Sequence, residues 1–216
     1  WIKRLSALSK VYFTPTFIGA EQLDASQPAM YVGNHSMYGV LDSPMLIDYL
    51  YNEHQVAVVS IADHSHFYLP LWRSVVKKFG AVDGVPVYVR EAMQQGYSIL
   101  VFPGGGREVL KREGEQYHLI WKQRYGFLKL AQEFGYDIVP FAALGGDEVF
   151  DIGFDANKVV QHQYFQKLLQ VPQLSRLLRK GEVIPSLPKH LIPKRLPFYF
   201  KFMPRQSLML SLIHIS

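Results

Sequence analysis

The sequence predicts an α/β domain with a mostly parallel central sheet flanked by helices. Two observations carry this. Short apolar runs at 29–33, 55–62, 98–102 and 137–144 alternate with stretches of helical periodicity, and strands alternating with helices of about ten residues or more imply parallel pairing covered on both faces. Three polar or glycine-rich segments, 34–42, 103–108 and 145–147, follow such runs. Ligand sites in folds of this kind gather at the carboxyl ends of the strands.

The run 29–33 has strand length and ends in Gly33, and 55–62 is β-branched. Between them, 43–51 has Pro44 near its start, where proline is tolerated, and Met45, Leu46, Tyr49 and Leu50 at helical spacing. The alternation continues with a helix over 66–78, a turn over 80–84, a helix over 86–95 and a strand over 98–102. A helix over 122–134 and a strand over 137–144 repeat the unit. A polar amphipathic helix is expected over 161–180, then a crossing rich in proline, with 197–203 returning as an edge strand.

At 216 residues, 49% hydrophobic and 14% aromatic, the chain is sized for one domain around one core. Residues 1–207 are assigned to it. The chain opens on Trp1 and closes on an apolar stretch, so it reads as a fragment, with 208–216 taken as a non-native tail and the question of a missing amino-terminal membrane anchor left open. The absence of cysteine removes disulfides, thiolate metal sites and a cysteine nucleophile. No apolar run approaches the roughly 18 to 20 residues that a spanning helix needs. The net charge of +5, from 23 Lys and Arg against 18 Asp and Glu, suits an anionic partner such as phospholipid, coenzyme A or nucleic acid.

Chemistry is concentrated in two segments. In Asn34-His35-Ser36-Met37-Tyr38-Gly39-Val40-Leu41-Asp42, His35 is a candidate general base, with Asp42 able to hold its tautomer if the loop folds back. A loop histidine capping local backbone is the competing reading. Phe102-Pro103-Gly104-Gly105-Gly106-Arg107-Glu108 leaves a strand through three glycines, whose backbone N–H groups can form an anion nest or oxyanion site, or a plain tight turn. Arg107 is positioned to take a phosphate, or to pair with Glu108 or Asp42.

These two segments, in this order and separation, resemble the motifs of the glycerolipid acyltransferase superfamily related to bacterial lysophosphatidate acyltransferases. In that family the first motif is Asn-His with an aspartate after four intervening residues; Asn34 and His35 match, and Asp42 lies two positions later. The family's Phe-Pro-Glu-Gly-Thr-Arg motif appears as Phe102-Pro103-Gly104-Gly105-Gly106-Arg107. With Gly104 in place of the glutamate, and Glu108 after the arginine, the version looks like the branch of diacylglycerol acyltransferases and phytyl ester synthases, which esterify neutral alcohols. Val139-Pro140 matches the motif placed by the acyl site.

The resemblance implies transfer of a fatty acyl group from a thioester to a lipid hydroxyl, without a covalent intermediate. His35 would be the base and Asp42 its orienter. Gly104, Gly105 and Gly106 would donate hydrogen bonds, Arg107 and Glu108 would shape the acceptor or donor end, and Val139 and Pro140 would line the acyl channel. It implies no bound cofactor, with acyl-CoA or an acyl carrier protein thioester as co-substrate. The expected partner is a membrane surface, approached peripherally or monotopically with the site facing cytoplasm or stroma. A lysophospholipid acceptor and an inactive lipid-binding protein are the alternatives.

His64-x-His66 has a metal-binding pattern, but no third or fourth ligand lies nearby in sequence, and no metal is expected. A serine hydrolase lacks its Gly-x-Ser-x-Gly elbow here. Lys111, Arg112, Lys122 and Arg124, interleaved with aromatics, would suit nucleic acid, coenzyme A phosphates or lipid headgroups; no nucleic-acid partner is expected.

Overall fold

The computed structural model describes residues 2–68, 70–121 and 124–208. In chain order its first half contains α1 (Ile2–Phe13), β1 (Thr16–Ile18), β2 (Ala29–Gly33), α2 (Asp42–His54), β3 (Val58–Ala62), α3 (Pro70–Lys78), β4 (Ala81–Asp83), α4 (Pro86–Gln94) and β5 (Ser98–Val101). The second half contains α5 (Gly105–Val109), α6 (Gly126–Phe134), β6 (Asp137–Leu144), β7 (Ile152–Phe154), α7 (Asn157–Val160), α8 (Gln163–Leu168), α9 (Pro172–Leu177), β8 (Leu187–Pro188) and β9 (Tyr199–Phe202). One sheet has the order β1-β9-β6-β2-β5-β3-β4. Its neighbours are parallel except for the antiparallel pair β6 and β9. β7 and β8 form a separate two-stranded ribbon.

Because strand side chains alternate between faces, the sheet divides its apolar residues between two cores. Tyr31, Leu100, Val139 and Phe141 pack with Met45, Leu46 and Leu50 of α2 and with Phe200 and Phe202 of β9. Met30, Val32, Ile99, Val101 and Ile138 pack on the opposite face against Val89 and Met93 of α4 and Leu130 and Ala131 of α6. β2 and β5 are buried along their whole length, which is why each reads as a nearly continuous apolar run, the buried Ser98 being satisfied by the Ala29 N–H. Leu208 packs against the second core; the remainder of the suspected tail, 209–216, lies outside the described residues.

Several elements differ from expectation. The turn over 80–84 contains β4, paired in parallel with β3. The strand expected from 55 begins at Val58, because Gln55 closes α2 in a left-handed conformation with φ 57. The helix expected from 66 begins at Pro70, after a 3-10 turn over His64–Phe67. The single helix over 161–180 is a string of short ones: His162 and Val171 are extended, and Pro172 disfavours helical backbone at the residue before it. The strand near 197–203 is not an edge. β9 lies between β6 and β1, and β1 is too short to leave a periodic signal in sequence.

Candidate active site

The three segments that follow β2, β5 and β6 meet at the carboxyl ends of those strands. His35 Nδ1 lies 2.9 Å from Asp42 Oδ2. Asp42 opens α2, with its side chain 1% exposed and that of His35 14% exposed. The same Asp42 oxygen accepts the Ser36 N–H at 2.7 Å, and its other oxygen accepts the Ser43 N–H at 2.8 Å. Burial pushes this carboxyl up, but the His35 imidazole, its hydrogen bond and the Ser36 N–H outweigh burial and hold it below the ordinary carboxylate value. A carboxylate fixed on Nδ1 leaves Nε2 as the free basic nitrogen.

The chain between the two residues curls through consecutive left-handed positions, Tyr38 with φ 62 and Gly39 with φ 63, and the Gly39 N–H donates to Ser36 O at 3.0 Å. Glycine is required there twice over: beyond its backbone angle, a Cβ would lie 2.6 Å from His35 Nε2. The imidazole stacks on Phe102 with centroids 3.8 Å apart and a 10° angle between planes. Asn34 clamps the loop to β6, donating to Ala143 O at 2.7 Å and accepting from Ala143 N–H at 2.8 Å.

Gly104 leaves room for a neighbour. A Cβ there would lie 2.4 Å from both Cβ and Oε2 of Glu108. Glu108 is fully buried, and its Oε2 accepts the His35 N–H at 3.1 Å. Burial raises its carboxyl above the ordinary value, against the pull of that hydrogen bond and of the nearby Lys111. Glu108 therefore holds the backbone of the histidine loop. The Gly105 N–H is engaged with Phe102 O at 2.9 Å in the turn that starts α5, which leaves Gly104 and Gly106 as candidate donors. Arg107 pairs with Glu115 and donates to Leu110 O at 3.2 Å. Of the partners considered for it, neither Glu108 nor Asp42 is the one it takes.

Sequence reasoning missed the buried pair formed by Lys111 Nζ and Asp147 Oδ2 at 2.5 Å, with side chains 2% and 9% exposed. Asp147 also accepts the N–H groups of Met37 at 3.2 Å and Tyr117 at 3.0 Å, so it fastens the histidine loop to the end of β6. A signal existed, since Asp147 stands in a polar segment at a strand end. Lys111 was grouped instead with Arg112 and Arg124 as a surface patch. Arg112 is bound to Asn157 Oδ1 and Gly181 O, and Arg124 to Gly104 O; Lys122 lies outside the described residues.

Two cavities adjoin the motif segments, and neither His35 nor Asp42 lines either of them. A cleft of about 570 Å³ at the ends of β3, β4 and β5 is lined by Phe102, Pro103 and Gly105, by apolar Ile61, Val89 and Leu130, and by polar Asp63, His64 and Arg124. A smaller one of about 150 Å³ is lined by Asn34, Ser36, Lys111 and Asp147. Val139 is 5% exposed within the first core, and neither it nor Pro140 lines either cavity. His64 is paired with Asp83 Oδ2 at 2.5 Å. Among the described residues no group of three or more His, Asp and Glu is placed to hold a metal.

The domain is thus a largely parallel sheet with a histidine backed by a buried aspartate at its carboxyl edge and a cleft of mixed apolar and charged lining at the same edge. Over residues 14–143 the chain matches the Acyltransferase family, and it belongs to that family. Its fold is shared with the 1-acyl-sn-glycerophosphate (LPA) acyltransferase PlsC from Thermotoga maritima: the TM-score is 0.57 over 95% of this chain and 68% of that one, at 14% identity. The chain is 34% identical over 145 residues to phytyl ester synthase 2, chloroplastic, of Arabidopsis thaliana, covering 63% of this chain and 20% of that protein. It is 31% identical over 99 residues to the DGAT1/2-independent enzyme synthesizing storage lipids of Bos taurus, covering 42% and 29%. The chain thus spans less than a third of the length of either relative.

Proposed function

We propose that this domain transfers a fatty acyl group from a thioester to the hydroxyl of a lipid alcohol in one ternary complex. The observation that carries this reading is the 2.9 Å contact between His35 Nδ1 and a buried Asp42. The acceptor hydroxyl gives its proton to His35 Nε2 and its oxygen bonds to the acyl carbonyl carbon. The thiolate then leaves, taking the proton back from the imidazolium. A thiolate is a good enough leaving group for this to proceed without a covalent enzyme intermediate. Gly104 and Gly106 are the backbone donors assigned to the developing oxyanion.

The large cleft suits the acyl chain of the donor, acyl-CoA or an acyl carrier protein thioester, because Ile61, Val89, Val101, Phe127 and Leu130 contribute apolar lining and its size lies in the range of small-molecule sites. A neutral acceptor is favoured over a phosphorylated one, since Arg107 is already satisfied by Glu115 and Leu110. The work belongs at a lipid–water interface, where such alcohols reside.

The test incubates the protein, and His35→Ala beside it, with radiolabelled acyl-CoA and detergent-dispersed diacylglycerol, monoacylglycerol, long-chain alcohol or lysophosphatidate. Loss of a general base predicts a fall of about 10²- to 10⁴-fold in the variant. Label in a neutral ester from the wild type alone supports the reading. A His35→Ala variant with unchanged rate sinks the mechanism, and preference for lysophosphatidate sinks the acceptor assignment.

A further inference from the structure

The segment from α7 to the approach to β9 is joined to the domain but buries little of itself. Helices α7, α8 and α9 contain no buried residue. A helix ordinarily turns its apolar stripe onto its own protein; these helices half-bury Val160, Phe165 and Leu174 and leave Tyr164, Leu168 and Leu177 exposed. Tyr164 and Leu168, one turn apart on α8, are 68% and 40% exposed, and Leu191 and Ile192 beyond β8 are 88% and 79% exposed. Phe154 and Leu187 oppose each other across the β7–β8 ribbon and are also exposed.

The positive charge of the molecule is gathered in the same place. Residues 157–195 hold eight Lys and Arg and one acidic residue, Glu182, while the whole chain nets only +5, so the remainder is slightly acidic. Like charge opposes a second copy of this face as its occupant. An apolar surface interleaved with cations fits a bilayer carrying anionic headgroups: apolar side chains enter the interface and the cations meet the headgroups.

The segment is also tied to the catalytic end of the sheet. The Tyr38 hydroxyl, from the loop between His35 and Asp42, donates to Ser186 O at 3.0 Å. Arg112 donates to Asn157 Oδ1 at 3.1 Å and to Gly181 O at 3.0 Å. Arg179 Nη1 meets Asp63, a residue lining the large cleft, at 2.8 Å. A bilayer lying on this face would therefore border the cleft.

We infer that α7–α9 and the crossing over 187–195 form the face by which the domain docks on an anionic lipid bilayer, so that a lipid alcohol passes into the site without crossing water. The identity of what enters rests on the transferase reading above; the docking does not. The test is flotation of the full chain with vesicles of phosphatidylcholine, alone or mixed with phosphatidylglycerol. The chain should float with the mixed vesicles and be released by salt. The triple variant Lys158→Glu, Lys167→Glu and Arg176→Glu should lose at least about a hundredfold in partitioning, at about 1 kcal/mol per basic residue.

Leu191→Asp with Ile192→Asp should weaken binding at low salt too, whereas Lys77→Glu with Lys78→Glu on α3 should leave it unchanged. All these side chains are exposed, and circular dichroism checks that each variant is folded. Transfer in detergent micelles should match the wild type for the patch variants. Loss of vesicle binding with intact micellar activity supports the proposal, and an inactive wild type that still floats separates failure of the transferase reading from failure of this one. Equal binding to neutral vesicles, binding unaffected by the patch variants, or a dimer in sedimentation that the Leu191 and Ile192 changes dissolve would overturn it.

Discussion

Asp42 meets His35 at 2.9 Å although six residues separate them, because Tyr38 and Gly39 take up left-handed conformations and fold the intervening chain into a turn. The contact fixes which imidazole nitrogen is free, and it makes the dyad sensitive to changes that leave His35 itself in place.

Asp42→Asn keeps the size of the side chain and removes its charge, so it no longer selects the tautomer with Nε2 basic. The expected result is a fall in kcat of up to about 10⁴-fold, measured as initial rate of ester formation in mixed micelles. Stability carries a second signature. The folded carboxyl is held below its ordinary value of 3.8, so its stabilising contribution is present above that pH and lost as pH falls through the lower folded value. The difference in urea midpoint between wild type and Asp42→Asn should therefore shrink between neutral pH and pH values below 3.8.

Gly39→Ala places a methyl group 2.6 Å from His35 Nε2. The left-handed backbone adds strain of about 1–2 kcal/mol, visible as a lowered urea midpoint. Activity should suffer more than stability, falling tenfold or more beyond what the unfolded fraction explains. Full activity in a folded variant would mean that Nε2 is not where the hydroxyl binds.

Gly104→Ala should destabilise by about 1–3 kcal/mol through crowding of the Glu108 carboxylate. Adding Glu108→Ala should recover part of that loss, and a double-mutant cycle reads the coupling. Glu108→Gln tests the buried charge separately. Because the Glu108 carboxyl is raised above its ordinary 4.5, the folded state keeps its proton where the unfolded chain has released it, and stability declines as pH rises through that window. Stability profiles from pH 4 to pH 8 should be flatter for the glutamine variant.

Lys111→Met removes one half of a buried ion pair and leaves Asp147 charged with its backbone partners. The expected loss is about 3–5 kcal/mol, seen by urea denaturation. Activity should fall with it, since Asp147 holds the Met37 N–H in the histidine loop.

Local pattern was enough for the class of fold and for the neighbourhood of the site. Buried parallel strands such as β2, β5 and β6 announce themselves as apolar runs whatever surrounds them, and the polar segments after them must lie at one edge of the sheet. Sequence also supplied the pairing of His35 with Asp42 as a candidate. Tertiary structure decided the rest, for reasons of distance and packing. β1 and β4 are three-residue strands that exist because a neighbour offers its edge, and β9 is interior only because β1 covers it. Whether the longer spacing still delivers a carboxylate to Nδ1 depended on backbone angles at Tyr38 and Gly39. Glu108 became a support for the histidine loop because Gly104 has no Cβ, Arg107 was claimed by Glu115, and Lys111 was drawn inward by Asp147. No local pattern encodes those contacts, because each joins residues whose proximity the fold itself creates.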